Sequence, residues 1–480
     1  MDKLTPLPHP MKPLRPLLTL LAFLAMTLCA SAADRRPNIV YILADDLGFP
    51  ELSCNGADHF KTPNIDSLAQ GGVRFTRFFT APLCGPSRSL ILTGRYAFRT
   101  GAVSQDTCRN LVRTGDKAEQ MIPTVLKKAG YATALIGKWG QLSPSGSPAE
   151  WGFEHDFHFK ASGIYWNSKT VKKMNTDGSV RGDPDTYTKD GKVLPLNDGE
   201  YMPDLLHKDA VAWLEAHKDG PFFLYYSMSH VHGEILPTPD SAPLPAGTSE
   251  AARLAAHYTD NINYMDKLVG KLLAELERMK LRENTLIVFM GDNGTAKAHA
   301  PVATIGGKRV EGEKGSMKEG GGLVPFIASW PGVTPAGKVN NNVADASDLL
   351  ATFADVAGAP LPKDRPLDGK SLVSQFKGST ESLRSWAYCQ LGNNFYVREN
   401  GWKLDQAGDL FDMKDAPFKE ALVPADSKDE AAIAARKRLA VALAELNPGG
   451  GIKDPGDGSG RSANKEEKKA KKAAKKPKGE

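Results

Sequence analysis

Four apolar runs recur along the chain, and each ends in polar or glycine-rich residues. They cover residues 38–43, 131–136, 222–226 and 285–290. Continuous apolar runs of this length are typical of strands that are buried on both faces of a parallel sheet. Helical periodicity is found in the segments that precede or separate them, at 65–70, 122–128, 203–217 and 251–280. This alternation predicts an α/β fold in which helices flank a large, mostly parallel central sheet.

The pattern changes after residue 360. Short strand-like segments follow one another at 386–390, 395–398, 402–404 and 409–413, and an alanine-rich helix is predicted over 428–446. We therefore expect a main domain over 33–359 and a smaller C-terminal α+β subdomain over 360–447 that contains a short antiparallel sheet. Residues 448–480 turn glycine-rich and then lysine-rich, a composition that predicts a disordered tail.

The N-terminus has the three-part layout of an export signal. Basic residues precede an apolar run over 17–28, and Ala30-Ser31-Ala32 follows as a small-x-small cleavage site. The pattern predicts a signal peptide over 1–32, cleaved near Ala32, and a secreted or periplasmic protein. The alternative is a retained anchor or a buried helix, although the run is short for a bilayer span. No other stretch predicts a transmembrane segment.

The net charge is +5, from 61 basic and 56 acidic residues. Eight lysines and three glutamates fall within 465–480, so the excess charge belongs to the tail and the rest of the chain is balanced. The charge therefore indicates no nucleic-acid partner. Four cysteines follow the predicted cleavage site without metal-type spacing, and their pairing stays open: Cys54, Cys84, Cys108 and Cys389.

Two pairs of oxygen-bearing side chains directly follow apolar runs. Asp45-Asp46 comes after the first run, and Asp292-Asn293 follows the fourth, one glycine later. In an open parallel sheet, ligands bind beyond the carboxyl ends of the strands. Carboxylate and amide oxygens suit Ca²⁺ or Mg²⁺ rather than zinc. Either pair alone could equally be a turn or a helix cap; together they predict a divalent-metal site.

A second candidate site is the segment Cys84-Gly85-Pro86-Ser87-Arg88. Pro86 is suited to the first helical position, so Cys84 is predicted to lie just before a helix N-terminus, where backbone N–H groups favour an anion. Arg88 lies one turn further on and could reach the same anion. Otherwise, Cys84 would be a buried small residue and Arg88 a surface residue.

This segment, with Thr93-Gly94-Arg95 after it, resembles the signature of the type I, formylglycine-dependent sulfatases, an arylsulfatase-like family of the alkaline phosphatase superfamily. Further stretches resemble family motifs in the same order along the chain: Asn38 to Gly48, Pro63 to Ala69, Gly137-Lys138-Trp139, Gly291 to Gly294, Gly312 to Ser316, Glu319-Gly320-Gly321 and Asp409 to Asp412. The resemblance implies a sulfuric ester hydrolase that acts on a sulfated saccharide or an aryl sulfate.

The resemblance also implies a role for each matching residue. Cys84 would be oxidised by a formylglycine-generating enzyme and, once hydrated, attack sulfur. One Ca²⁺, or Mg²⁺ in its place, would be bound by Asp45, Asp46, Cys84, Asp292 and Asn293. Arg88 would stabilise the nucleophile, and the sulfate oxygens would be neutralised by Lys138 and Lys314. His232 would protonate the leaving oxygen, with His230 as its competitor.

Two positions depart from the family pattern. Gly140 stands where the family often has a histidine, and Leu323 where it often has an arginine. Two other functions therefore stay open: a phosphonate or phosphate ester hydrolase of the same superfamily, and a glycan-binding relative without activity.

Overall fold

The structure is a computed structural model of the chain. It describes residues 36–140, 142, 146–160, 165–167, 173–174, 180–181, 187–194, 197, 199–233 and 235–461. The predicted signal peptide and the lysine-rich end of the tail lie outside these residues. The described residues from Pro37 onward group into one unit. None of the described helices is both long and apolar enough to cross a bilayer.

Strands and helices alternate over most of the described chain. The strands are β1 (Asn38–Ala44), β2 (Val73–Phe79), β3 (Ala132–Gly140), β4 (His155–Lys160), β5 (Trp166–Asn167), β6 (Lys173–Met174), β7 (Val180–Arg181), β8 (Tyr187–Lys189), β9 (Lys192–Val193), β10 (Glu200–Tyr201), β11 (Phe222–Ser227), β12 (Thr285–Gly291), β13 (Thr304–Ile305), β14 (Lys308–Arg309), β15 (Leu323–Ser329), β16 (Lys338–Asn340), β17 (Ala344–Asp345), β18 (Ala387–Leu391), β19 (Asn394–Arg398), β20 (Trp402–Asp405), β21 (Leu410–Asp412) and β22 (Ala421–Val423). The α-helices are α1 (Pro63–Gln70), α2 (Cys84–Thr93), α3 (Ala97–Thr100), α4 (Ile122–Lys128), α5 (Met202–His217), α6 (Glu250–Arg278), α7 (Glu319–Gly322), α8 (Asp348–Ala357), α9 (Val373–Phe376) and α10 (Glu430–Leu446).

The large sheet has the order β16-β2-β15-β12-β1-β11-β3-β4-β8-β9, and β17 also pairs with β2. The four strands predicted from apolar runs are its neighbouring central strands, β12, β1, β11 and β3, and all pair in parallel. Their ends are in register, because Leu43 of β1 pairs with Met290 on one side and with Ser227 on the other. Residues that follow these strands therefore meet at one edge.

Both faces of this sheet are covered, as the continuous apolar runs predicted. Tyr41 and Leu43 of β1 belong to one buried cluster, whereas Val40 and Ile42 belong to the other. Every residue of β1 is buried. The alternation follows from the two-residue period of a strand. The predicted α/β fold with a mostly parallel central sheet is confirmed.

The C-terminal part contains a five-stranded sheet in the order β18-β19-β20-β21-β22, and all its pairings are antiparallel. Its inner residues share the first buried cluster with the large sheet; they are Tyr388, Val397, Leu404 and Leu410. Helix α10 contributes Ala432, Ala435 and Leu439 to that cluster. The predicted short antiparallel sheet is confirmed, with β22 as an additional strand.

Strand β15, next to the central strands, was missed from the sequence. β15 pairs antiparallel with β12 and with β2, so this side of the sheet is mixed. Pro325 lies inside β15, and the pairing with β2 shifts between Val324 and Phe326. A proline cannot donate a ladder hydrogen bond and is usually confined to edges and bulges, which is why the sequence pattern did not indicate a strand here.

Two local expectations differ from the structure. Helix α2 begins at Cys84 rather than at Pro86, because the first turn of a helix needs no intrahelical N–H donors and so tolerates proline within it. The predicted disorder from residue 448 is not what the structure has over 448–461. A 3₁₀ turn covers Pro448–Gly450, and the backbone N–H of Ile452 donates to Phe98 O at 2.8 Å.

Candidate active site

The predicted metal-ligand pairs lie side by side at the carboxyl edge of the large sheet. Ala44 of β1 pairs with Gly291 of β12, so Asp45 and Asp292 follow in adjacent positions. Backbone hydrogen bonds fix both turns: Asp292 N–H donates to Ala44 O at 2.9 Å, and Asp45 N–H donates to His230 O at 2.7 Å. The strand register thus determines which side chains meet here.

The two turns are also joined through side chains. Asp46 N–H donates to Asp292 Oδ1 at 2.9 Å, and Asn293 Nδ2 donates to Asp46 Oδ1 at 2.9 Å. Asp46 has a φ of 62°, a conformation that non-glycine residues rarely adopt. Such conformations persist where the surrounding contacts determine them, and they cluster at functional sites.

Helix α2 brings Arg88 into the same edge. Its guanidinium donates to Asp292 Oδ2 through Nε at 3.1 Å and through Nη2 at 2.8 Å. Nη2 also lies 3.5 Å from Asp45 Oδ1, and Nη1 donates to Ser227 Oγ at 2.6 Å. Arg88 is fully buried. Burial alone would lower its pKa, but Asp292 and the other neighbours raise it well above the usual value, so the charge is kept.

Cys84 is the first residue of the same helix and is buried. Gln105 Nε2 donates to Cys84 Sγ at 3.6 Å, and the Oε1 of the same amide accepts from Gly85 N–H at 3.2 Å. Ser87, between Cys84 and Arg88, donates through Oγ to Ala81 O at 2.9 Å and also bonds Asp292 O. The start of α2 is therefore anchored to the turn that carries Asp292.

Two lysines approach the acidic pairs from different elements. Lys138, in β3, donates to both oxygens of Asp45 at 2.8 and 2.6 Å. Lys314, in the segment between β14 and α7, lies 2.6 Å from Asp46 Oδ1. Burial lowers the pKa of each ammonium group, and the neighbouring carboxylate more than offsets this, so both pKa values are raised. Both side chains therefore stay positively charged.

Two observations on the oxygen ligands favour a bound cation. Asn293 Oδ1 is buried and has no hydrogen-bond partner among the described residues. Burial, with the nearby Asp45 carboxylate, raises the pKa of Asp292 to about 6. A positive ion would relieve the repulsion that this shift reports and would give Asn293 Oδ1 a partner. Three carboxylates and an amide oxygen are the donor set that Ca²⁺ or Mg²⁺ prefers.

The two candidate histidines differ in their surroundings. His232 Nε2 lies 3.8 Å from Asp46 Oδ2, and its other nitrogen has no hydrogen-bond partner in the described part of the chain. Burial, with a smaller effect of Lys138, lowers the pKa of His232 well below its usual value. His230 is fully buried and shares a hydrogen bond of 3.0 Å with the hydroxyl of Tyr201. His232 therefore faces the charged cluster, whereas His230 packs behind it.

The two positions that depart from the family pattern, Gly140 and Leu323, lie at the ends of two strands of the large sheet. Gly140 ends β3 with a φ of 61°, where an ordinary side chain is strained. Leu323 is buried at the start of β15. The nearby Glu319 pairs with Arg398 of the C-terminal sheet, whose Nη2 lies 2.8 Å from Glu319 Oε1.

Some residues of this site carry no signal in the sequence. Ser227 bonds both Arg88 and the carbonyl of Lys138, although the sequence marks it only as the residue that follows an apolar run. Gln105 lies in an irregular segment with no motif of its own.

The cysteines form no disulfide among the described residues. Cys54, Cys108 and Cys389 are free thiols.

A buried cysteine at a helix start, three fixed cations and a set of oxygen ligands at one sheet edge together define a hydrolase of anionic esters. The chain belongs to the Sulfatase family, whose model matches residues 37–359. The predicted family and the sulfuric ester hydrolase activity are confirmed.

Several known proteins are similar to this chain. N-acetylgalactosamine-6-sulfatase of Mus musculus is 32% identical over 368 residues, which are 73% of this chain and 68% of the relative. Arylsulfatase D of Homo sapiens is 31% identical over 78% of this chain and 74% of its own. Among solved structures, Ps i-CgsB in complex with k-i-k-neocarrahexaose has a TM-score of 0.72 and 28% identity, covering 86% of this chain and 93% of that one. PsFucS1 sulfatase from Pseudoalteromonas sp. has a TM-score of 0.68 and 26% identity, covering 90% and 95%.

Proposed function

We propose that this sulfatase removes sulfate from sulfated saccharides through a formylglycine made from Cys84. The observation that carries the proposal is the environment of Cys84: the helix that begins there also holds Arg88, which is bonded to Asp292 within the oxygen-ligand set. When present and hydrated, the formylglycine supplies an oxygen that can attack sulfur. A saccharide substrate is supported by the names of the similar N-acetylgalactosamine-6-sulfatase and of Ps i-CgsB with its bound k-i-k-neocarrahexaose. An aryl sulfate is the other substrate class.

We further propose one Ca²⁺ at this edge, with Mg²⁺ as the other candidate ion. The ligands would be Asp45, Asp46, Asp292, Asn293 and the residue formed from Cys84. The ion supplies positive charge that polarises a sulfate oxygen. The unpartnered Asn293 Oδ1 and the three clustered carboxylates support this assignment.

Three buried cationic side chains would bind the anionic ester and position the groups around it: Arg88, Lys138 and Lys314. Arg88 donates a hydrogen bond to Asp292 and so holds the residues around the nucleophile in place. Lys138 and Lys314 remain charged while buried and can each bind a sulfate oxygen. Preorganised charges of this kind act strongly in a site that excludes water.

In this proposal His232 donates a proton to the leaving oxygen. Burial and Lys138 lower its pKa in the free site, and the negative charge of a bound sulfate ester would favour the protonated ring. Its Nε2 lies 3.8 Å from Asp46 Oδ2 at the charged edge, whereas the Nε2 of the fully buried His230 is engaged by the hydroxyl of Tyr201. A positioned general acid typically contributes about a hundredfold or more to the rate. Gly140 has no side chain to share this task.

Two further proposals concern the maturation of the protein and its export. A formylglycine-generating enzyme would convert Cys84, and export to the periplasm or beyond the cell would follow from the signal peptide predicted over 1–32. Neither is tested by the described residues. Mass spectrometry of the mature N-terminus would test the second.

The proposal is tested by matured protein and a panel of sulfated saccharides and aryl sulfates. We expect release of free sulfate and, in the peptide that contains position 84, the mass of formylglycine. Aryl phosphate should be a much poorer substrate; faster turnover of phosphate would favour the phosphate or phosphonate ester hydrolase instead.

Cys84→Ala is expected to fold and to be inactive. Cys54→Ala is the matched control, because Cys54 is only partly buried and lies outside the cluster. An unmodified thiol at position 84 in a fully active protein would contradict the formylglycine mechanism.

A further inference from the structure

Gln105 is the side chain that contacts Cys84 Sγ from outside helix α2. Its Nε2 lies 3.6 Å from the sulfur, and its Oε1 accepts from Gly85 N–H at 3.2 Å and lies 3.8 Å from the same sulfur. The backbone donor fixes the orientation of the amide, because only the oxygen can accept from it. The Nε2 donor is therefore directed at whatever group residue 84 carries on its Cβ.

The backbone of Gln105 is held on both sides. Its N–H donates to Gly460 O at 2.9 Å, and its carbonyl accepts from Cys108 Sγ at 3.1 Å. Cys108 also closes the space beside the helix start, since a Cβ on Gly85 would come within 2.5 Å of Cys108 Sγ. Gln105 thus occupies a defined position although it belongs to no helix or strand.

Gly460 belongs to a segment that follows helix α10 and contacts both Gln105 and the segment of Lys314. We call residues 448–461 the C-terminal strap. Its Asp454 accepts from Gly460 N–H through Oδ2 at 3.0 Å, and Asp454 N–H donates to Asn393 Oδ1 at 2.9 Å. At its end, Arg461 Nη2 donates to Gly315 O at 3.0 Å, next to Lys314.

We propose that Gln105 is a positioning residue for the nucleophile at position 84 and that the C-terminal strap holds it there. The inference rests on the proposed function for its catalytic consequence. Conversion of Cys84 replaces sulfur, a weak acceptor, with oxygen, so the Nε2 donor gains a stronger partner. The same strap contacts the segment of Lys314, so it links two parts of the site that are far apart in sequence.

The first experiment tests the contact without any sulfatase activity. In unconverted protein, made without the maturing enzyme, we would measure the alkylation of Cys84 by iodoacetamide at fixed pH, with Cys54 in the same molecule as the internal reference. Iodoacetamide reacts at Sγ, the atom that Nε2 contacts, so the rate of labelling reports on this contact. Gln105→Leu should therefore slow the labelling of Cys84 relative to Cys54 by several-fold, and Gln105→Glu, which loses the donor and adds negative charge, should slow it further. Equal ratios in all three proteins would overturn the contact.

The second experiment measures turnover in converted protein, per molecule that carries formylglycine. Gln105→Leu should lower kcat by about 10- to 100-fold, the usual effect of partners that orient active-site ligands, with a smaller change in KM. Gln120→Leu is the matched control, because that amide accepts from Lys128 on the exposed surface. Unchanged kcat in Gln105→Leu would overturn the proposal, whereas absence of sulfate release from converted wild type would instead reject the proposed function.

The role of the strap is tested by loosening it. Asp454→Ala should lower kcat in the same direction as Gln105→Leu, and the double variant should lose little more than Gln105→Leu alone, since both act on one interaction. Truncation after Asn464 keeps the strap and removes only the lysine-rich end, so it should leave turnover of a small aryl sulfate unchanged. Additive losses in the double variant would show that the strap acts elsewhere.

Discussion

Two buried arginines, one in each half of the molecule, have opposite kinds of surroundings. Arg398 of the C-terminal sheet bonds one carboxylate, Glu319, and the backbone carbonyl of Glu399. Arg88, at the edge of the large sheet, contacts two carboxylates, Asp292 and Asp45, and the second of them is also bonded by Lys138. Both guanidinium groups are about 1% exposed.

The two arrangements differ in whether nearby buried polar atoms are left without a hydrogen-bond partner. The oxygens of Glu319 are satisfied by Arg398 and the pair is closed, whereas at the sheet edge Asn293 Oδ1 and a nitrogen of His232 have no partner within the described residues. Unsatisfied buried polar atoms cost stability, and a ligand bound at the sheet edge could give these two atoms a partner. The first arrangement stabilises the fold, and the second leaves atoms available to a ligand.

The largest expected effect is on stability and comes from breaking the ion pair between Arg398 and Glu319. Arg398→Met leaves Glu319 as a buried carboxylate without its cation, which should lower the free energy of unfolding by about 3–5 kcal/mol. Denaturant unfolding of the purified protein measures this. The double variant Arg398→Met with Glu319→Gln should recover part of the loss. If Arg398→Met were as stable as wild type, the pair would have no structural role.

The next effect distinguishes the two histidines by turnover. His232→Ala should lower kcat by about a hundredfold or more while the melting temperature changes little. His230→Ala should act mainly on stability, because His230 is buried against Tyr165 and Tyr201. The measurement is kcat and melting temperature for both variants. A large loss of kcat in His230→Ala with none in His232→Ala would reverse the assignment.

The central strands could be predicted from the sequence because they are buried on both faces. Asp45 and Asp292 could be predicted for the same reason, since each closely follows such a strand and the register brings them together. Cys84 and Arg88 were found by their spacing within one motif. These inferences need only local sequence and the rule that ligands bind at the carboxyl ends of strands.

The rest of the site could not be predicted because it depends on contacts between distant segments. Gln105 lies in an irregular segment and contacts Cys84 from 21 residues away along the chain. Arg398 reaches Glu319 from the other sheet, 79 residues away. β15 contains Pro325, so its pattern did not predict a strand, although it separates β2 from the central strands. Tertiary packing decides all three.

A smaller effect tests whether the unpaired atoms at the sheet edge take a cation. Ca²⁺ at about tenfold above its dissociation constant should stabilise the folded protein by about 1.4 kcal/mol, because it binds the folded state. Thermal unfolding with and without chelator measures this as a rise of roughly 1–2 °C. Asn293→Leu, which removes the unpaired oxygen, should reduce the shift. No shift, with no metal found by elemental analysis, would contradict the site.

The smallest effect concerns Gly140, at the end of β3. A residue with a Cβ is strained at its φ of 61°, so Gly140→His and Gly140→Ala should both lose about 1–2 kcal/mol of stability. Only the histidine also adds a ring next to the segment of Lys138. Gly140→His should therefore change the ratio of kcat/KM between bulky and small sulfate esters by a few-fold, whereas Gly140→Ala should leave that ratio near the wild-type value. The comparison of the two variants removes the backbone strain from the result, because both have it. If the two ratios changed equally, the ring would not reach the substrate, and Gly140 would matter only for the backbone of β3.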